Sequence, residues 1–374
     1  MTPLGHLRVL DLSRQLPGPF CSTLLADFGA DVLMIARPDD PFATGIPFLA
    51  RNKRSMTLNL KAETGREIFL RLAADADVVL EGFRPGIMAR LGIGWERLSA
   101  LNPRLVYCAI SGYGQDGPYR DRVGHDVNYL AAAGVLNYVG EAGGPPVIPG
   151  VQIADIGAGS LMAAVGILTA LLAREHTGRG QLVDVAMLDG AVAWNVYHRL
   201  LYLLSGRPPE RGRTQLTGYF PCYAVYETRD RRHVTVGAYE EHFWATLCRH
   251  FGREDFIPTQ WDEGPTRDEM FAFFRAAFRA KTLAEWVTEL GDVDVCFAPV
   301  ATLDETFADP QVRHRRMVVE HDGTLTLGTP IKLSETPASL RTAPAKFGEH
   351  TDGVLASLGF GAEEIARLRR DRVV

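Results

Sequence analysis

The sequence predicts an α/β fold: a large Rossmann-like domain on a mostly parallel sheet, with a smaller α/β domain attached. Three observations predict it. Residues 1–130 alternate strand-like and helix-like segments, a pattern that requires crossover connections and therefore parallel strands. Composition then changes at residues 206–218, where Pro, Arg and Gly cluster. Finally, 374 residues at roughly 150 per domain give about two domains with ample core.

The elements follow in order. A strand is expected over residues 7–12, and Pro17-Gly18-Pro19 opens a helix over 20–28 that Gly29 stops. Next come a strand at 31–35, an extended stretch at 56–60, a helix at 63–76 and strands at 77–82 and 105–110. Helices at 128–139 and 156–174, a strand at 181–187 and a long helix at 191–204 complete this part. Strands at 222–227 and 233–238 flank Thr228-Arg229-Asp230-Arg231 and read as a hairpin. Helices at 243–251, 267–280 and 283–290 and a strand at 296–300 make the second α/β unit, and helical stretches at 353–358 and 362–369 end the chain. The expected division is 1–205 with 329–374 for the large domain, 219–315 for the small one, and linkers at 206–218 and 316–328.

Composition narrows the function. Forty basic against 45 acidic residues leave a net charge of −5, unlike a protein built to grip nucleic acid or an anionic membrane. The five cysteines form no CxxC pair, so neither a disulfide framework nor a thiolate metal site is expected. The uncharged run at 156–173 is shorter than a bilayer span and reads as a buried core helix. No signal-peptide pattern opens the chain, and the expected location is cytoplasmic.

Gly112-Tyr113-Gly114-Gln115-Asp116-Gly117 matches GxGxxG after a strand, but Pro118-Tyr119-Arg120 stands where a helix should open, so it reads as a loop. No GxSxG or HExxH occurs, and the histidines are dispersed. Arg37 and Arg84 lie just past strand ends, where open parallel sheets bind ligands, and Arg51-Asn52-Lys53-Arg54 adds a basic cluster. Together they suit a ligand with several phosphates, though each also reads as a solvated surface charge. His125 precedes a helix for which Asp126 is a candidate N-cap. Asp155 sits before the apolar helix, either as its N-cap or as a buried carboxyl whose raised pKa suits proton transfer near neutral pH.

Five ordered stretches resemble the family III CoA-transferase and α-methylacyl-CoA racemase superfamily: residues 24–32, Leu80-Glu81-Gly82-Phe83-Arg84-Pro85-Gly86, residues 102–107, residues 111–118 and Thr177-Gly178-Arg179-Gly180-Gln181. Gly124-His125-Asp126-Val127-Asn128-Tyr129-Leu130 resembles the racemase branch in particular. The resemblance implies catalytic roles for His125 and Asp155, with Glu240 as the carboxylate that orients His125. Glu241-His242 follows where those racemases usually have Pro, so Glu241 stays open as that partner. CoA contacts are implied at Arg37, at Leu58, Asn59, Leu60 and Lys61, at Arg84, and at Gly124, Asp126, Val127, Asn128 and Tyr129.

It also implies an interlocked homodimer and no cofactor beyond the CoA of the acyl-CoA substrate. The implied reaction removes the α-proton of a 2-methylacyl thioester on one face and returns one on the other, with the enolate supported by backbone N–H groups at the helix beginning near Asp155. The alternative is a CoA-transferase that forms an acyl intermediate on Asp155.

Overall fold

The computed structural model describes residues 2–40, 45–321 and 323–374. Six parallel strands form one sheet: β1 (Arg8–Asp11), β2 (Asp31–Ala36), β3 (Lys53–Thr57), β4 (Val78–Glu81), β5 (Val106–Ser111) and β6 (Leu182–Ala186). Their order is β3-β2-β1-β4-β5-β6, a doubly wound sheet whose winding reverses between β1 and β4. Ligands bind beyond the carboxyl ends of the strands at such a reversal. β4 and β5 are buried along their whole length, as continuous hydrophobic runs between helical layers should be. Each large aliphatic chain buried there contributes about 1.5–3 kcal/mol.

The chain divides into two compact units, Met1–Ala133 with Pro149–Trp194 and Pro310–Val374, and Gly134–Ile148 with Asn195–Asp309. The sequence-based division at 205 and 329 therefore lies at Trp194 and Pro310 instead. Residues 134–148 join the second unit because Arg211 clamps them there. Its Nε donates to Asn137 O at 2.8 Å, and the Tyr138 ring stacks on His198 with centroids 3.7 Å apart. The expected linker at 316–328 is no linker, since Val318–His321 and Thr324–Leu327 pair antiparallel as β10 and β11.

The tail returns to the first unit. Val354, Leu355, Ile365, Leu368, Val373 and Val374 enter its core, and Asn59 N donates to Val373 O at 2.7 Å. Asp27, fully buried, ties this return down. It accepts Arg51 Nε and Nη2 at 3.1 and 2.7 Å, Asn52 Nδ2 at 2.8 Å and Thr329 Oγ1 at 2.6 Å.

Other expectations shift for local reasons. The helix expected at 128–139 is Asp126–Ala132, ended by Gly134 at φ +79°, with a 3-10 turn at Val135–Tyr138. The helix expected at 191–204 is two, Met187–Ala193 and Val196–Ser205, and the extended stretch expected at 56–60 overlaps a strand, Lys53–Thr57, only at Met56 and Thr57. The helix expected at 156–174 starts at Ile153 with π-helical turns to Leu161 and continues as α-helix over Met162–Thr177. Its small residues meet close neighbours: a Cβ on Gly157 would lie 2.1 Å from the Trp194 ring, and one on Gly190 would lie 2.6 Å from Ala158 Cβ. This helix is not wholly buried, as the sequence suggested. Val165 and Leu172 are 59% and 65% exposed, and the stretch is long and apolar enough to cross a membrane by length and composition alone. The other face packs inward through Ala163, Ile167 and Ala170.

In the second unit β7 (Tyr223–Glu227), β8 (His233–Gly237) and β9 (Phe297–Pro299) form an antiparallel sheet, and the predicted hairpin joins β7 to β8. Its core is aromatic, with Trp244, Tyr226, Phe274 and Phe278 fully buried.

Candidate active site

Two cavities open beyond the strand ends of the first unit. One, of about 400 Å³, is lined by Arg37, Leu58, Asn59, Leu60 and Lys61, so five of the residues expected to contact CoA share one pocket. The other, of about 530 Å³, is lined by Arg84, Gly124, His125, Asn128 and Tyr129, among others. Arg14 and Phe83 line both and join them, with the Arg14 guanidinium 5.6 Å from the Phe83 centroid. The sheet explains the placement, since β1, β2 and β4 end at Asp11, Ala36 and Glu81, and Arg14, Arg37 and Arg84 follow within three residues. Asn59 shapes its own turn, with Oδ1 accepting Lys61 N at 3.1 Å.

Arg14 and Arg90 add two cations that the sequence reading did not single out. Arg14 was legible by the rule applied to Arg37 and Arg84, because it too lies just past a strand. The basic cluster at 51–54 proves structural and is not a phosphate site. Arg51 pairs with Asp27 at 2.7 Å, Arg54 with Asp31 at 2.6 Å, and buried Lys53 with Asp11 at 3.8 Å. Burial lowers the Lys53 ammonium to about 8, offset chiefly by Asp11.

His125 is the residue before helix Asp126–Ala132 and is exposed at the larger cavity. Asn128 fixes the helix start by accepting His125 N on Oδ1 at 3.0 Å, and Tyr129 Oη donates to Gly124 O at 2.6 Å. Asp126 does not cap its own helix, as the sequence suggested. Its Oδ1 accepts the N–H of Ala154 at 2.6 Å and of Asp155 at 3.0 Å, so it caps the neighbouring helix. Asp155 is likewise no N-cap, because it lies within the first turn, after Gln152. The backbone donors expected to support an enolate are therefore occupied: Ala154 and Asp155 serve Asp126, and Ile156 N serves Gln152 O at 3.1 Å.

Asp126, the residue after His125, thus holds the backbone of the turn that carries Asp155. Burial first and the Asp126 charge second raise the Asp155 carboxyl, with His125 opposing both, to about 6. A carboxyl so tuned exchanges protons near neutral pH. Val127 is half-buried and, like Asp126 and Asp155, is absent from the lining of both cavities.

Glu240 belongs to the second unit, where it is exposed and precedes helix Glu241–His250; Glu241 is that helix's first residue. Burial raises the Cys296 thiol first, and the Glu240 charge adds to that effect. Among the described residues, no group of three or more His, Cys, Asp or Glu is placed to hold a metal ion.

The fold and these cavities define a doubly wound α/β protein with a cationic ligand crevice lined by a histidine. Residues 4–351 match the CoA-transferase family III, and the chain belongs to that family, as an enzyme of the transferase and racemase superfamily. It is 39% identical to the α-methylacyl-CoA racemase of Mus musculus over 375 residues, covering 99% of this chain and 97% of the relative. It is 35% identical to the succinyl-CoA–L-malate CoA-transferase β subunit of Chloroflexus aurantiacus, covering 100% of this chain and 98% of the relative. The crystal structure of a CaiB/BaiF family protein from Brucella suis superposes with a TM-score of 0.83 at 30% identity, covering 96% of this chain and 99% of that one.

Proposed function

We propose that the chain is an α-methylacyl-CoA racemase-type enzyme, which epimerises the α-carbon of a 2-methylacyl-CoA through an enolate. One observation carries the reading: His125 lines the cavity, and Asp155, whose carboxyl lies near 6, has its backbone amide held by Asp126, the residue after His125. Inversion needs one group that takes the α-proton and another that supplies a proton to the opposite face, with a single proton shared by the pair. The thioester lies at His125, the pantetheine chain passes Phe83, and the phosphates meet Arg14, Arg37, Lys61 and Arg84. No further cofactor takes part. Racemase relatives at 39% and 37% identity support the assignment.

Glu240 orients His125 in this account, and Glu240→Gln should lower turnover while Glu241→Gln leaves it near the parent value. A second copy of the chain completes the enzyme, a reading supported by uncovered apolar residues such as Leu172 on the Met162–Thr177 helix and Leu204, 76% exposed, on Val196–Ser205. Light scattering should give the dimer mass.

The transferase reading keeps a specific support, the 35% identity to a CoA-transferase subunit, and makes Asp155 the nucleophile. One experiment separates the two. A single epimer of a 2-methylacyl-CoA in deuterated water gains α-deuterium under the racemase reading. Acid-dependent CoA transfer with a hydroxylamine-sensitive adduct on Asp155, and no exchange, would favour transfer.

A further inference from the structure

The two strands that border the switch point end alike. β1 closes on Asp11 and β4 on Glu81, and these residues are 2% and 3% exposed. Each carboxylate accepts the backbone N–H two residues on: Asp11 Oδ1 from Ser13 at 2.9 Å, and Glu81 Oε2 from Phe83 at 2.6 Å. In each case an arginine stands at the third residue and lines the ligand crevice, Arg14 in both cavities and Arg84 in the larger one. The two turns face each other, since a Cβ on Gly82 would lie 3.7 Å from Ser13 Cβ.

The two ends differ in how the buried charge is balanced. Asp11 has Lys53 Nζ at 3.8 Å, whereas among the described residues Glu81 has no ion-pair partner and its second oxygen accepts the Tyr107 hydroxyl at 3.3 Å. Burial pushes the Glu81 carboxyl up to about 7, against the hydrogen bonds from Phe83 and Tyr107 that favour the ion. An apolar side chain would close this strand end at lower electrostatic cost, but it would release the Phe83 amide. The carboxylate holds the turn, and Glu81 itself stays outside the lining of both cavities.

We infer that Glu81 is a positioning residue for CoA binding, locking the Gly82-Phe83-Arg84 turn so that Arg84 faces the bound thioester ligand. The inference rests on the reading that this crevice holds CoA. Glu81 then acts entirely through its turn, and its effect vanishes when Arg84 is gone. Glutamine offers one acceptor oxygen, enough for Phe83 N, and an amide N–H₂ that the Tyr107 oxygen can accept, so it restores most of the lock.

The test is a four-protein cycle on the full chain, titrating free CoA by calorimetry and measuring kcat and KM for acyl-CoA turnover. Arg84→Ala should weaken CoA about tenfold or more, and Glu81→Ala by a similar factor, while Glu81→Gln stays within about threefold of the parent. Glu81→Ala should act on KM and leave kcat nearly unchanged, and the double variant should bind no more weakly than Arg84→Ala alone. If the alanine variant does not fold, Glu81→Leu, which fills the space but offers Phe83 N no acceptor, takes its place in the cycle with the same expected loss. Weak binding in Arg84→Ala with parental binding in Glu81→Ala overturns the inference alone, and so do additive losses in the double variant. Parental binding in Arg84→Ala overturns the CoA reading of the crevice and this inference with it.

Discussion

Replacing Asp126 by Asn isolates the electrostatics of the His125 and Asp155 pair. Asparagine keeps an oxygen for the amides of Ala154 and Asp155, so the helix end stays capped while one negative charge disappears. The Asp126 charge is the second cause, after burial, of the rise of Asp155 to about 6. Two carboxylates this close repel by about 1–3 kcal/mol at an effective dielectric constant of about 20, which corresponds to about one to two pKa units. The low end applies, because both groups keep partial access to water. On the racemase reading Asp155 titrates in the acid limb of kcat/KM, which should lie near 6 in the parent. In Asp126→Asn that limb should move down by about one unit. The assay is α-proton exchange across the acid range with the same acyl-CoA for both proteins, so titration of the substrate's own phosphate cancels in the comparison. An acid limb that stays in place, or moves up, refutes the coupling.

Three further outcomes follow from the same structure. Asp155→Asn should abolish exchange yet raise the unfolding midpoint above pH 6. The raised carboxyl makes the native state bind the proton more tightly than the unfolded chain, so stability falls as pH rises from about 4 to 6; after screening, the gain at pH 8 is about 1 kcal/mol, and at pH 4 there is none. Asp27→Ala leaves the Arg51 guanidinium buried without its carboxylate and should cost about 3–5 kcal/mol in denaturant unfolding, whereas Asp31→Ala, at an exposed pair, should cost about 1 kcal/mol or less. Gly190→Ala forces a methyl against Ala158 on the helix that carries Asp155, and should cost about 1–3 kcal/mol and lower kcat more than KM.

The parallel sheet was legible because its signals are local. Alternation of strand and helix patterns fixes crossover units, and the end of each strand then locates a crevice before any contact is known. The cavity arginines Arg37 and Arg84 followed from that rule, and Arg14 was available from it. Charge alone misled at Arg51, Lys53 and Arg54, whose partners Asp27, Asp11 and Asp31 lie 20 to 45 residues away and are brought close only by strand pairing and the packed first helix. Asp126 was misplaced for the same reason, because a cap donated to another helix leaves no mark at its own position. The broken helix at Trp194 depends on a ring seated over Gly157, a contact that periodicity does not encode. Roles for His125, Asp155 and Glu240 came from family resemblance, since a lone histidine and two separated acids carry no pattern of their own.

The reaction turns on one bond, the C–H next to the thioester. Incubating a single epimer of a 2-methylacyl-CoA with the protein in deuterated water, and following α-deuterium and epimer ratio together, tests it directly. Deuterium incorporation with a drift to both epimers, absent in His125→Ala and Asp155→Asn, is the predicted result. Full retention of the α-proton across several acyl chains, in a protein shown to bind CoA, would contradict it.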